Sequence, residues 1–214
     1  MGAGVQSGLA KGGAVGASEG RVEERALVLA CQRGEVGAFA RLVRLHQDVA
    51  IRTAYLLTND REAAEDVAQT AFLNAFRALS RFDPERPFRP WLLAIVANEA
   101  RMVWRSRRRR PTAPLDPTQA DAGEPPLDWA IRQDERARVR AALLAIDEPF
   151  RTTVVLHYFN ELSVEEVAVA LGCRPGTVKS RLHKARQRLR VLLTPRPRAT
   201  DTAMRPDEGQ VVES

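Results

Sequence analysis

The sequence is poor in features that would mark several protein classes. Its 214 residues include only two cysteines, Cys31 and Cys173, which stand far apart and form no C-x-x-C pair. A disulfide framework or a cysteine zinc site is therefore not expected, and two small apolar core side chains are favoured. No apolar run approaches the roughly eighteen residues that span a bilayer, and the first twenty residues lack the apolar core of a secretory signal. We therefore expect a cytoplasmic protein with no membrane insertion.

The residue groupings that support catalysis are also missing. His46, His157 and His183 are isolated in the sequence, and no glycine-rich phosphate loop is present. Acidic residues fall mainly at predicted helix starts and in a proline-rich segment, rather than in clusters that would hold a metal or form an acid-base pair. We expect no enzyme, no catalytic residue, no cofactor and no metal.

The overall composition favours an all-α fold with an anionic partner. Aromatic residues make up only 6% of the chain, and runs of β-branched residues are short. The formal net charge is +6 and the isoelectric point is about 10.1. Such a balance favours association with a polyanion, although it says nothing about the fold itself.

Hydrophobic periodicity and breaks divide the chain into two small helical domains. The segment "PTAPLDPTQADAGEPPL", residues 111–127, holds five prolines and no cation, and we interpret it as a flexible linker. Its seventeen residues span up to roughly 55 to 60 Å, so one chain can reach two DNA sites more than one helical turn apart. The linker separates a first domain, 21–110, from a second domain, 128–194, and tails lie at 1–20, predicted to be disordered, and at 195–214. Helices are predicted in the first domain at 21–33, 36–57, 60–80 and 88–108. Helices are predicted in the second domain at 128–146, 148–160, 163–171 and 175–193.

The stretch "LSVEEVAVALGCRPGTVKSRLHKARQRL", residues 162–189, predicts a helix-turn-helix. Ser163 and Glu166 form an S-x-x-E capping box that starts a short helix, and Gly172 ends it. Pro175 then opens a second helix, because proline is tolerated at the first helical position. Arg174 stands at the N-cap of that helix, where a serine, aspartate or asparagine would be preferred.

The second of these helices has an apolar stripe and a basic outer face. Seven cations and no acidic residue lie from Arg174 to Arg190. Polar side chains bordered by cations suit the major groove, where they meet base edges and phosphates. The alternative is an ordinary helical hairpin with a solvated basic face. The predicted buried stripe is Val178, Leu182, Ala185 and Leu189; the outer face is Ser180, His183, Lys184 and Gln187, flanked by Lys179, Arg181, Arg186 and Arg188.

A second nucleic-acid signal lies in "FRPWLLAIVANEARMVWRSRRRR", residues 88–110. Aromatic residues alternate there with arginines and precede the run Arg107 to Arg110. Aromatic faces can stack on unpaired bases while arginines hold the backbone, so the combination suits a single strand. The aromatics could instead belong to the core, and the arginine run could be a nonspecific phosphate patch.

The preceding helix has a different character. Asn59 and Glu62 are predicted as its N-cap and box partner. Its sequence "REAAEDVAQTAFLNAFRAL" places acidic and amide groups beside an apolar stripe. These polar groups would repel DNA, so this face of the helix belongs either to the core alone or to a protein partner. The residues concerned are Phe72, Leu73 and Phe76 with Glu65, Asp66 and Gln69.

Taken in order, these three stretches resemble bacterial RNA polymerase sigma factors of the sigma-70 family, in the small extracytoplasmic-function (ECF) group. "AAEDVAQTAFLNAFRAL" is similar to the family's core-polymerase-binding helix, residues 88–110 to its minus-ten recognition helix, and residues 162–189 to its minus-thirty-five reader. The resemblance covers about residues 25–194. It implies a sigma region 2 type domain at 21–110 and a region 4 type domain at 128–194.

The resemblance also implies roles for particular residues. Asn98 stands at the position that, in the family, helps to capture a flipped non-template base of the minus-ten element. The loop Arg81 to Pro87 would line the pocket that receives this base. The implied core-polymerase contacts are Asp66, Gln69, Phe72, Leu73 and Phe76. The implied minus-ten contacts are Phe88, Trp91, Asn98, Arg101 and Arg105. The implied minus-thirty-five contacts are Thr177, Lys179, Ser180, Arg181, His183 and Lys184.

The function that the resemblance implies is promoter selection. Such a protein binds core RNA polymerase, directs it to promoter DNA and promotes melting, and an anti-sigma factor is a further candidate partner. The alternative is a stand-alone helix-turn-helix regulator, which usually binds a palindrome as a symmetric dimer. The chain shows no heptad seam for such a dimer.

Overall fold

The computed structural model describes residues 12–109 and 127–194, with side chains described for 20–35, 37–106 and 135–194. Within these ranges the fold is all-α, as predicted, and helices lie on both sides of residues 110–126. We call residues 12–109 the first half and 127–194 the second half. The predictions for residues 1–11, for residue 110, for the linker up to residue 126 and for the tail from 195 lie outside the described residues, and Leu127, the last residue of the predicted linker, begins a helix. The helices are α1 Gly12–Gln32, α2 Val36–Thr58, α3 Arg61–Ala78, α4 Phe88–Arg109, α5 Leu127–Ala145, α6 Glu148–Val154, α7 Val164–Ala170 and α8 Pro175–Leu193.

Small side chains allow the helices of the first half to pack closely. α2, α3 and α4 contact one another, and α1 packs against α2. Ala64, Ala71 and Ala75 of α3 are completely buried, so the neighbouring backbones can approach that helix. Leu42 and Leu92 are also fully buried, and each contributes on the order of 1.5–3 kcal/mol by leaving water.

Two predicted boundaries in the first half are wrong. Helix α1 begins at Gly12 rather than at Arg21, which removes residues 12–20 from the predicted disordered tail. Adding residues to an existing helix gains one hydrogen bond each without a new nucleation cost, so the alanine-containing segment can extend it. Asn59 is not an N-cap: it ends α2 in the left-handed conformation at φ 54°, and its N–H donates to Tyr55 O. Asp60 caps α3 instead, by accepting from Ala63 N at 3.0 Å.

The second half contains one irregular turn that periodicity did not predict. The expected helix 148–160 is α-helical only to Val154 and continues as a π-helical turn over Val155–Phe159. The backbone N–H of Asn160 donates to Val155 O at 3.1 Å, and its side-chain amide donates to the same oxygen at 3.2 Å. This five-residue spacing turns the Asn160 side chain inward, where it is 1% exposed.

The two halves pack against each other, a contact that no local sequence pattern predicts. α4 contacts α7, and α2 contacts α5, α6 and the π-helical turn. One continuous apolar core joins both halves and includes Leu57 and Ala100 from the first and Leu156 and Leu162 from the second. The described conformation is therefore closed, with the first helix of the predicted helix-turn-helix set against α4.

Candidate nucleic-acid interface

The helix-turn-helix forms by the local interactions that the sequence predicts. Glu166 N donates to Ser163 Oγ at 3.1 Å and Ser163 N donates to Glu166 Oε2 at 2.8 Å, which completes the capping box at the start of α7. Gly172 adopts φ +60°, a left-handed conformation that glycine takes without strain. Pro175 opens α8, and Arg174 provides no side-chain cap, as predicted. The chain thus reverses within a short turn and presents α8 beside α7.

Helix α8 buries one face and exposes the other. Val178, Leu182 and Ala185 are buried and Leu189 is partly buried, which confirms the predicted stripe. Most of the predicted DNA contacts on α8 lie on the opposite, exposed side, and only Arg181 is partly covered. We call these six residues the α8 face: Thr177, Lys179, Ser180, Arg181, His183 and Lys184.

The α8 face carries cations that no acidic side chain described by the structure neutralises. Among the described residues, neither Lys179 nor Lys184 has an ion-pair partner. Arg188 differs, because it pairs with Asp147 and lies 4.6 Å from the ring centroid of Phe150. His183 and Gln187 approach each other at 2.9 Å on the exposed side. The face therefore offers unpaired positive charge and hydrogen-bonding groups to an anion.

Helix α4 presents a different surface. Trp91, Asn98, Arg101 and Arg105 recur at spacings of seven, three and four residues, which places them on one side of the helix. Asn98 and Arg105 are exposed, while Trp91 and Arg101 are partly covered. We call these four residues the α4 face. The ring of Trp91 packs against that of Phe82, with centroids 4.5 Å apart.

Phe88, which the resemblance placed among the minus-ten contacts, does not belong to this exposed surface, and its side chain lies in the core of the described structure. It is 1% exposed and packs against the rings of His46, Phe82 and Trp91. Its backbone N–H donates to Glu24 Oε2 at 3.1 Å, and the other carboxylate oxygen of Glu24 lies 2.9 Å from His46 Nε2. Phe88 thus anchors the start of α4 in the core. The arginine run at 107–110 lies outside the described side chains.

The loop before α4 borders a cleft against α1. Its walls carry both charges, from Arg21, Glu24 and Arg25 on one side and Glu85 and Arg86 on the other. Arg25 and Glu85 form an ion pair across it. The loop that the resemblance implied would line a base pocket at Asn98 borders this cleft, and Asn98 is not among the residues that line it.

Helix α3 exposes the mixed surface that its sequence suggested. Asp66 and Gln69 are exposed, and Leu73 and Phe76 retain 52% and 49% exposure, although they are large apolar side chains. We call these four residues the α3 face. Phe72, which the resemblance placed among the core-polymerase contacts, is 8% exposed and packs in the core, so it is not part of the α3 face. Phe76 is braced by the ring of Phe39 at 4.9 Å.

Comparison with known proteins decides the family. The model for sigma-70 region 2 matches residues 42–110, and the model for sigma-70 region 4 matches residues 136–189. The RNA polymerase sigma-H factor of Pseudomonas aeruginosa is 33% identical over 184 residues, which cover 81% of this chain and 95% of that protein. The chain belongs to the extracytoplasmic-function group of the sigma-70 family.

Other relatives of this sigma factor agree with the assignment. The ECF RNA polymerase sigma factor SigW of Bacillus subtilis is 30% identical over 74% of this chain and 90% of its own length. The solved structure of CnrH in complex with the cytosolic domain of CnrY matches with a TM-score of 0.63 and 32% identity, over 80% of this chain and 97% of that one. RpoE bound to the anti-sigma factor NepR from Bartonella quintana matches with a TM-score of 0.61 and 26% identity, over 74% of this chain and 98% of that one. Across residues 12–109 and 127–194, every helix is too short or too polar to cross a membrane.

Sequence reasoning missed the residues that join the two halves. Glu148 Oε1 accepts from Arg101 Nε at 3.0 Å, and the buried Arg151 donates to Leu57 O at 3.1 Å. Thr53 and Asn160, also buried, share a hydrogen bond of 3.1 Å. The only sequence signal for these residues is a polar side chain at a position that helical periodicity places inward.

Proposed function

We propose that this sigma factor binds core RNA polymerase through the α3 face, reads duplex promoter DNA with the α8 face and holds the melted strand on the α4 face. It acts as a transcription initiation factor in the cytoplasm and makes or breaks no covalent bond. The observation that carries the proposal is the presence of three chemically distinct exposed surfaces in one chain, in the order of the family's motifs. An anti-sigma factor is a further proposed partner, since the structural relative RpoE from Bartonella quintana was solved in complex with one.

The α8 face supports duplex binding by its charge and its shape. Unpaired lysines on an exposed helix can displace counterions from phosphates, and this makes affinity fall steeply with salt. Ser180 and His183 lie between those lysines on the exposed side, where hydrogen bonds to base edges are possible. Val178 and Leu182 are buried and hold the helix against its neighbours, so the orientation of the exposed side is set by the core.

The α4 face supports single-strand binding by a different combination. Trp91 retains part of its ring surface beside Phe82, and Asn98 offers an exposed amide that can read a base edge. Arg101 and Arg105 add cations along the same side of the helix. Stacking and phosphate contacts together favour an unpaired strand over closed duplex.

The α3 face supports protein docking. Leu73 and Phe76 form an exposed apolar centre, and Asp66 and Gln69 form a polar edge, which is the usual anatomy of a protein interface. Negative and amide groups at this edge disfavour DNA as the partner. The stand-alone regulator is not favoured, because the matched relatives are sigma factors over most of their length.

The direct test is transcription with purified components. Core polymerase should produce run-off transcripts from a set of genomic fragments only when this protein is added, and the mapped start sites should share two upstream elements. Core polymerase with a heat-denatured sample of the chain is the control. Identical start sites with and without the protein would contradict the proposal.

A further inference from the structure

Lysine is rare in this chain, and its distribution is uneven. Lysine and arginine together number 33, and the only lysines among them are Lys11, Lys179 and Lys184. Lys11 lies outside the described residues, so every lysine that the structure describes stands on the α8 face. The other cations of this helix are arginines. The two described side-chain amines therefore share one helix, on the surface that we propose reads duplex DNA.

Both amines are open to solvent. Lys179 and Lys184 are exposed, and neither forms an ion pair with an acidic side chain that the structure describes. No acidic residue lies between Arg174 and Arg190, so helix α8 supplies no carboxylate that could hold either ammonium. The two side chains can therefore meet a reagent from solution as readily as they can meet a phosphate of DNA.

Lysine and arginine allow different chemistry at a phosphate-binding surface. A guanidinium keeps its proton in proteins, whereas a lysine ammonium can lose one, and the resulting amine is a nucleophile that acyl donors modify. Acylation turns the amine into a neutral amide and removes its charge. On the α8 face, only Lys179 and Lys184 can lose their charge in this way, because the remaining permanent cation, Arg181, is a guanidinium.

The surroundings of the two lysines favour an acyl donor that carries phosphate. Arg174, Arg181 and Arg186 belong to α8 or to its N-cap, and none has an ion-pair partner among the side chains that the structure describes. Arg181 lies three residues before Lys184 and is therefore its neighbour on the helix surface. A surface of one sign attracts small anions and raises their local concentration. The charge that suits DNA phosphates thus also suits a phosphate-bearing reagent.

We propose that Lys179 and Lys184 are acylation sites, and that an acetyl group transferred from a phosphate-bearing donor switches off duplex binding by the α8 face. The proposal rests on the proposed function of that face. The donor is an acyl phosphate or an acyl thioester of coenzyme A. The ammonium gives a proton to solvent, and the amine nitrogen attacks the acyl carbon. A C–N bond forms while the C–O or C–S bond breaks, and phosphate or thiolate leaves with the electron pair of that bond. No oxidation or reduction is involved.

Acetylation of the purified chain, followed by removal of the donor, tests the proposal. One sample receives acetyl phosphate and another acetyl-coenzyme A, and peptide mass spectrometry should find acetyl groups on Lys179 and Lys184. Acetylation in only one sample identifies the source of the acetyl group. With untreated core polymerase and a mapped promoter duplex, the acetylated chain should bind at least about tenfold more weakly. The slope of log affinity against log salt should fall by about 1.8, or about 0.9 for each lost phosphate contact.

The double variant Lys179→Arg with Lys184→Arg is the matched control. It keeps both positive charges and resists acylation. It also keeps Lys11 and the N-terminal amine, so acetylation at those places would affect the variant and the unmodified chain alike. Treated and untreated samples of the variant should bind the duplex with equal affinity and equal salt slope. An equal loss of affinity in the variant, or acetylation of both lysines without any loss, would overturn the proposal.

The failure of this proposal can be distinguished from failure of the proposed function. If untreated chain and core polymerase do not recognise the promoter duplex, the proposed function is wrong, whatever mass spectrometry finds. If they do recognise it and neither donor acetylates Lys179 or Lys184, the proposed function stands and these lysines are not acylation sites.

Discussion

The α8 face and the α4 face differ in how ready they are to meet nucleic acid. Lys179 and Lys184 on α8 are exposed and have no ion-pair partner among the described residues. On α4, Arg101 is engaged by Glu148 and Trp91 packs on Phe82. Within the described residues, the surface proposed for closed duplex is thus exposed, while the surface proposed for an opened strand is partly covered. Such an order suits a protein that must locate duplex before any strand is melted.

Both nucleic-acid faces are proposed to act only when the α3 face is docked on core polymerase. Leu73→Asp places a charge in the apolar centre of the α3 face, so affinity for core polymerase should fall by about thirtyfold, as for a hot spot of about 2 kcal/mol. Duplex binding by the isolated chain should not change. Co-elution with core polymerase over a titration and a gel shift measure the two quantities. Val191→Asp, at a position of 78% exposure on α8, is the control.

If Leu73→Asp and Val191→Asp reduce polymerase affinity equally, or neither does, the α3 face is not the docking surface.

The second prediction concerns the boundary that makes the two faces unequal. Arg151→Ala leaves the carbonyls of Leu57 and Ile146 without their donor, and the free energy of unfolding should fall by about 2 kcal/mol. Urea denaturation measures it. Arg188→Ala removes an exposed arginine of the same half and should cost less than about 1 kcal/mol. Similar losses in the two variants would show that the buried arginine does not join the halves.

Lys184 is an exposed cation of the α8 face that we expect to contact one phosphate of the promoter duplex. Lys184→Ala should weaken duplex promoter binding by about fivefold and reduce the slope of log affinity against log salt by about 0.9, because one phosphate contact is lost. Binding to core polymerase should be unchanged. Arg52→Ala, an exposed cation on α2, serves as the control in the same gel shifts. A salt slope identical to that of the unmodified chain would remove Lys184 from the duplex contacts.

The fourth prediction, on the α4 side, has the smallest expected effect. Asn98→Ala removes an exposed amide whose bond to Arg101 is long at 3.4 Å, so stability should not change. Opening of the promoter, measured by permanganate reactivity, should fall by about threefold, while closed-complex affinity stays the same, since only an extruded base would meet this side chain. Normal permanganate reactivity would refute the role of Asn98.

Much of the fold could be predicted because its signals are local. The capping box at Ser163, the left-handed Gly172 and the proline start of α8 each act within a few residues, and the structure confirms all three. The assignment at Asn59 failed because Asn59 and Asp60 are adjacent residues that both suit helix ends. Asparagine tolerates the left-handed conformation that closes α2, and this left the N-cap to Asp60.

The exposed residues of the candidate site could be predicted only where a helix has one clear apolar stripe. On α8 the apolar stripe fixes which side is exposed. On α4 apolar and aromatic residues occur on several sides, so periodicity did not separate buried Phe88 from partly exposed Trp91. The engagement of Arg101 by Glu148 depends on a residue from the other half, and no local pattern encodes it. Contacts between distant segments arise from packing, which single-sequence reasoning does not reach.

A footprint of one promoter tests the central claim, that the two halves read separate DNA elements within one polymerase complex. With core polymerase and this chain together, hydroxyl-radical cleavage should reveal two protected segments more than one helical turn apart, and Lys184→Ala should weaken only the upstream one. A single palindromic segment protected by the chain without polymerase would contradict the account.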